Sequence, residues 1–149
     1  MIRFFCAGTP KSMSVGTSFR FKRNGVDTHI QGRRNTDWAT LVGQIGREHA
    51  PAKPLDGPVT FTAIFHMPRP ASLPKRAAAT AMPVKRPDVD GLVHKLTDRF
   101  NGVFWSDDSQ IVDFIARKRY AAPGAQTGVE IVVEPVTAEA VQREMVERV

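Results

Sequence analysis

The sequence predicts an α/β (α+β) fold, a single domain in which a mixed, mostly antiparallel sheet packs with helices, and three observations carry that expectation. Short apolar runs alternate with period two: Val59, Phe61, Ala63 and Phe65 share one face of 57–67, while Val112, Phe114, Ala116 and Tyr120 oppose Asp113, Arg117 and Arg119. Longer segments repeat near 3.6 instead, as in Trp38, Leu41, Val42, Ile45 and in Val89, Leu92, Val93, Leu96, Phe100. A chain of 149 residues suits one domain, 1–149, and one core that removes roughly two thirds of the unfolded surface from water.

Taken in order, Met1 to Gly8 reads as a strand closed by Thr9-Pro10, and 18–31 as two strands turned at Asn24-Gly25, a strong hairpin signal. Lys11, Arg20, Lys22 and Arg23 cluster on and beside that hairpin. Asn35-Thr36-Asp37 offers a cap and an acidic first turn to a helix over 36–49, whose stripe of Trp38, Leu41, Val42 and Ile45 faces the core. In the strand 57–67, His66 falls on the face opposite the apolar one and reads as structural.

Residues 68–87 carry five prolines and five basic residues, Arg69, Lys75, Arg76, Lys85 and Arg86, without periodicity. They read as a long, mobile, phosphate-contacting loop. A helix from Val89 to Phe100 stops at Asn101-Gly102, strands follow at 110–120 and 129–133, and Thr137 opens a C-terminal helix over 137–149. The apolar stripe of that helix, Val141, Met145, Val146 and Val149, has two expected uses: covering the sheet or pairing with a second subunit.

Composition narrows the function. No stretch approaches the ~20 apolar residues of a membrane span, and the N-terminus lacks a signal peptide's pattern, so the chain reads as soluble, unprocessed and cytoplasmic. The lone cysteine, Cys6, sits among Ile2, Phe4 and Phe5 and reads as a buried structural thiol. Net charge is +6, yet residues 1–86 hold 14 Lys and Arg against 4 Asp and Glu, whereas 87–149 hold 7 against 11. The basic half suits a polyanion such as nucleic acid, whose counterions are released when phosphates are neutralised.

Against that charge stands an acidic island. Asp88 and Asp90 precede and open the helix, and Asp107 and Asp108 follow it. Asp88 and Asp90 can share a face only if the chain is extended at Asp88, because helical neighbours two apart point about 200° away from each other. One aspartate is explained by helix capping, and a turn explains SDDS taken alone. The joint pattern implies convergence, and converging carboxylates repel unless a cation offsets them. Oxygen-only ligands suit Mg²⁺ or Mn²⁺ rather than Zn²⁺, and DVDG does not fit a calcium loop. No P-loop pattern is present.

The stretch RPDVDGLVHKLTDRFNGVFWSDDSQIV resembles the RusA family of Holliday junction resolvases. Asp-x-Asp at a helix start, an Asn-Gly stop and DDSQ before a strand form a specific combination; the rest of the chain resembles the family more loosely. The resemblance implies a Mg²⁺-dependent homodimer that resolves four-way DNA junctions by symmetric paired nicks in recombination and repair. It places the essential carboxylates at Asp88, Asp90 and Asp108, with Asp107 a neighbour of less defined role. The chain departs from the family where Gly91 replaces a common Asn and His94 a common catalytic lysine. His94 lies one turn beyond Asp90 on the same face, and Lys95 is rotated about 100° from it. Both are candidates for the missing cation, and Arg117, Lys118 and Arg119 for contacts to phosphates. Two other readings are a non-catalytic branched-DNA-binding module and a Mg²⁺-dependent phosphohydrolase acting on nucleotides.

Overall fold

The computed structural model describes residues 1–11, 18–23, 26–31, 37–77 and 80–148, with the side chains of 18–23, 26–31 and residue 37 outside the description. Among these residues the chain is α+β. Four strands, β1 (Ile2–Ala7), β4 (Val59–Met67), β5 (Ile111–Tyr120) and β6 (Gly128–Pro135), form a sheet in the order β1-β6-β4-β5. β2 (Ser18–Arg23) and β3 (Val26–Gln31) pair antiparallel with each other in a separate ribbon. The predicted Asn24-Gly25 turn between them lies outside the described residues. The main sheet is mixed: β6 is antiparallel to both β1 and β4, while β4 and β5 run parallel.

Alternation decides which face is buried. Val59, Phe61, Ala63, Phe65 and Met67 of β4 point into the core together with Val129, Ile131 and Val133 of β6 and Phe4 and Cys6 of β1. His66 points the other way, half-buried, with Nε2 3.9 Å from Glu130 Oε2. Cys6 is fully buried, and that burial raises its thiol pKa, as suits a structural residue.

Helices α1 (Asp37–Glu48) and α2 (Val89–Phe100) cover the core face. Trp38 and Val42 of α1 are buried, but Leu41 is 41% exposed and does not join the predicted stripe. The core-facing arc of α1 is Trp38, Ala39, Val42, Gly43 and Gly46, with the predicted Ile45 partly buried against the core. At Gly46 a Cβ would stand 2.8 Å from Phe100 Cε1, so glycine permits the close approach of the two helices. Phe100 then meets Phe61, Phe104 and Trp105 edge-on, at centroid separations of 6.0, 5.0 and 6.1 Å.

The long segment after β4 holds one short 3₁₀ turn, Lys75–Ala77, and residues 78–79 lie outside the description. A third helix, α3 (Ala138–Glu147), is capped by Thr137, whose Oγ1 accepts from the Ala140 N-H at 3.3 Å. Of its predicted apolar stripe Val141, Met145 and Val146 are exposed, no residue of α3 is buried, and Val149 lies outside the described residues.

Candidate functional site

Residue 88 meets the condition set by the sequence. Its φ of −71° and ψ of 142° are extended, α2 begins at the next residue, and the Asp88 side chain makes no capping hydrogen bond. The carboxylate is therefore not consumed by the helix it precedes. Asp90 and His94 are exposed on the outer side of α2, where with Val89, Val93, Phe114 and Ala116 they line an open groove of about 490 Å³ beside β5. His94 Nε2 stands 3.8 Å from Asp98 Oδ2, one turn farther along.

Lys118, near the end of β5, fixes this end of the site. Its ammonium donates to the carbonyl of Lys85 at 2.6 Å and to that of Pro87 at 2.9 Å. Lys118 was expected to contact phosphate, but its charge is committed to the backbone that delivers Asp88. Lys95, the other candidate cation, is 6% exposed, whereas His94 is exposed. The 100° step from His94 that separates the two side chains carries Lys95 toward the core.

The second acidic cluster is built differently. Asp107 caps a 3₁₀ turn, Asp108–Gln110, accepting from the Ser109 N-H at 3.2 Å and from the Ser109 hydroxyl. Those bonds stabilise its charged form and hold the carboxyl below its ordinary range. Gln110 completes the turn. Its Oε1 accepts from the N-H groups of Ser106 (2.8 Å) and Asp107 (3.1 Å), while its Nε2 donates to the carbonyls of Leu55 and Gly57, each at 2.8 Å. Sequence reasoning missed Gln110; the signal available was the glutamine three residues after a capping Asp, the pattern of a capping box. Asp107 and Asp108 are both exposed; what distinguishes them is that Asp107 is held by hydrogen bonds from Ser109.

Within one chain the two clusters sit at opposite ends of α2. Trp105 Nε1 donates to Asn101 Oδ1 at 2.7 Å and Gln110 is tied to Leu55 and Gly57, so Asp108 stays near the C-terminal end of α2. Asp88 and Asp90 lie at the other end of that 12-residue helix, about 18 Å away at 1.5 Å per residue. Among the described residues, which include all four aspartates, no three His, Cys, Asp or Glu side chains group as ligands for one ion. The three-carboxylate set therefore does not fit a metal within a single chain.

The basic candidates are spread along the molecule. Lys11, Lys75, Arg76, Lys85, Arg86, Arg117 and Arg119 are exposed. Arg69 is half-buried, its Nη2 donating to the Pro74 carbonyl at 2.6 Å, which makes it a strut of its own loop. Arg20, Lys22 and Arg23 belong to β2, and their side chains lie outside the described residues. Among the described residues no helix is long and apolar enough to cross a membrane.

Comparison with known proteins bears on the family of the chain. The family described as Endodeoxyribonuclease RusA matches residues 13–134, which include α1, α2, β5 and all four aspartates. An uncharacterized protein of Bacillus subtilis (strain 168), YqaN, is 29% identical over 144 residues, spanning 92% of this chain and 98% of the relative. The chain belongs to the RusA endodeoxyribonuclease family.

Proposed function

We propose that this RusA-family chain is a structure-specific DNA endonuclease that resolves four-way junctions by paired, symmetric nicks, as a homodimer using Mg²⁺, in recombination and repair. The observation that carries the reading is the state of Asp88 and Asp90. In a chain matched by an endodeoxyribonuclease family, the carboxylates of its DVD motif are exposed at a helix start that does not use Asp88 as a cap.

Asp88 and Asp90 are the residues of one chain that would take the ion, since Mg²⁺ is commonly held by one or two carboxylates with water and phosphate completing its shell. When bound, such an ion supplies charge stabilisation at a phosphoryl oxygen and a more acidic water. The chain's own residues do the rest. Lys118 positions the backbone at Pro87, which sets where Asp88 points. His94, exposed one turn beyond Asp90, is better placed than buried Lys95 to meet a phosphate. Exposed Lys85, Arg86, Arg117 and Arg119 contact the DNA backbone, giving affinity without sequence readout. Two nicks on a junction of two-fold symmetry call for two equivalent sites, which a homodimer provides.

The test incubates the protein with a labelled synthetic four-way junction and with linear duplex, each with and without Mg²⁺. Paired nicks confined to the junction and to Mg²⁺ support the reading. Tight junction binding without cleavage in any divalent cation leaves the non-catalytic binding module, and hydrolysis of free nucleotides alone leaves the phosphohydrolase.

A further inference from the structure

A cavity of about 280 Å³ opens at the residues that lead into Asp88. β6 is antiparallel to β1 and β4, and β5 is parallel to β4, so β1, β4 and β5 all end at one edge of the sheet. The cavity lies off that edge. Met67, the last residue of β4, and Tyr120, the last of β5, both line it, and the Ala121 N-H ties the two strand ends by donating to the Met67 carbonyl at 2.8 Å. Pro83, Lys85, Arg86 and Pro87 line it as well. The Lys118 ammonium, bound to the carbonyls of Lys85 and Pro87, fixes that segment. The cavity is thus built before any ligand arrives.

Its lining says what it takes. Five of the ten lining residues are proline, whose backbone has no N-H to donate, and with Met67 and Tyr120 they offer apolar faces. Charge is confined to Lys85 and Arg86, which are both exposed. An apolar interior with a cationic rim complements a nucleotide, the base stacked inside and the phosphate held at the mouth. The volume falls below the roughly 300 to 1,000 Å³ of pockets for drug-sized ligands, so it suits one ring system rather than a stack.

Position decides which base. Pro87 is a wall of the cavity and Asp88 is the next residue, its backbone extended and its carboxylate not used as a cap. A strand whose phosphate lies at Asp88 therefore passes the mouth of the cavity. In linear duplex every base is paired and stacked, and drawing one out is costly; at a crossover the stack is interrupted and the cost falls. We infer that the cavity takes one unstacked base of the strand held at Asp88, its ring against Tyr120 and its phosphate on Lys85 and Arg86, and so selects branched DNA over linear duplex. The identity of that strand rests on the nuclease reading.

The test moves a single abasic site, one nucleotide at a time, through the crossover of a synthetic four-way junction and measures affinity by gel shift in chelator. Wild type is expected to lose at least about five-fold in affinity at one position, the low end of what a base stacked on an aromatic ring is worth. Tyr120→Leu loses that sensitivity and Tyr120→Phe, which keeps the ring, retains it. A second measurement needs no variant: 5-iodouracil at the sensitive position, irradiated in the wild-type complex, cross-links to Tyr120, the chain's only tyrosine, or to Met67. A flat scan, a sensitivity that Tyr120→Leu preserves, the same sensitivity in linear duplex, or a cross-link confined to residues outside the cavity overturns the inference, as does failure to bind the junction at all. If wild type cleaves the junction with Mg²⁺ yet the scan is flat, the nuclease reading stands and the base pocket falls. A Tyr120-dependent scan without cleavage in any divalent cation keeps the pocket and ends the nuclease reading.

Discussion

The two ends of β5 are opposite in charge and opposite in construction. At its C-terminal end a cation does the structural work: Lys118 holds two backbone carbonyls, and Asp88 and Asp90 beside it remain exposed. At its N-terminal end an anion does it: Asp107, though exposed like Asp108, is bound by Ser109 and framed by Gln110. In both places a charged residue that looks like a ligand-binding group in sequence is partly a strut, held by hydrogen bonds that its acidic neighbours do not share. A charged side chain in a cluster is thus assigned by what already occupies it.

The comparison is broken most completely by removing a presented carboxylate. Asp90→Asn is expected to lower the junction nicking rate by at least about a hundred-fold, since even groups one step removed from a metal ligand are worth 10 to 100-fold, while junction affinity by gel shift is kept or improved. Equal losses in cleavage and affinity would mean that Asp90 serves binding alone. At the other end, Gln110→Ala strips four hydrogen bonds from the Asp107–Asp108 turn and leaves the Leu55 carbonyl without that partner. A cost of about 1–3 kcal/mol in urea unfolding is expected, with reduced cleavage.

Lys118→Met sharpens the difference between strut and phosphate contact. It is expected to cost about 1 kcal/mol of stability and to slow cleavage, with the salt dependence of DNA binding unchanged. Arg119→Ala should instead lower the slope of log affinity against log salt by about one, with cleavage of bound junction intact. The smallest effect is at Asp107. Hydrogen bonds lower its folded-state pKa beneath the ordinary 3.8, so its contribution to stability is present above that value and is lost as pH falls through the lowered one. Asp107→Asn should therefore unfold more easily than wild type at neutral pH, the gap closing in acid, as read by thermal melts across the range.

Most local structure was legible because it follows from short-range rules. The period of Val89, Leu92, Val93, Leu96 and Phe100 marks α2, and the positive φ of 76° at Gly102 is the stop that Asn101-Gly102 announced. The extended backbone at Asp88 was anticipated as the condition for Asp88 and Asp90 to face one site. The separation of the two clusters within one chain was not readable, because it depends on the parallel pairing of β4 with β5 and on the anchoring of Gln110 at Leu55 and Gly57, 55 and 53 residues away. A helix that separates two motifs in sequence is also a rod that separates them in space. Leu41 shows the same limit on a smaller scale, since it is 41% exposed although periodicity placed it on the core-facing stripe.

The most direct test of the account is junction cleavage itself. Wild type and Asp90→Asn are each incubated with a labelled four-way junction and a linear duplex of matching sequence, with Mg²⁺ and with chelator. Symmetric nicks made only by wild type, only in the junction and only with Mg²⁺ are the predicted result. Cleavage by both proteins, or by neither while both bind the junction, would contradict the assignment of these aspartates to hydrolysis.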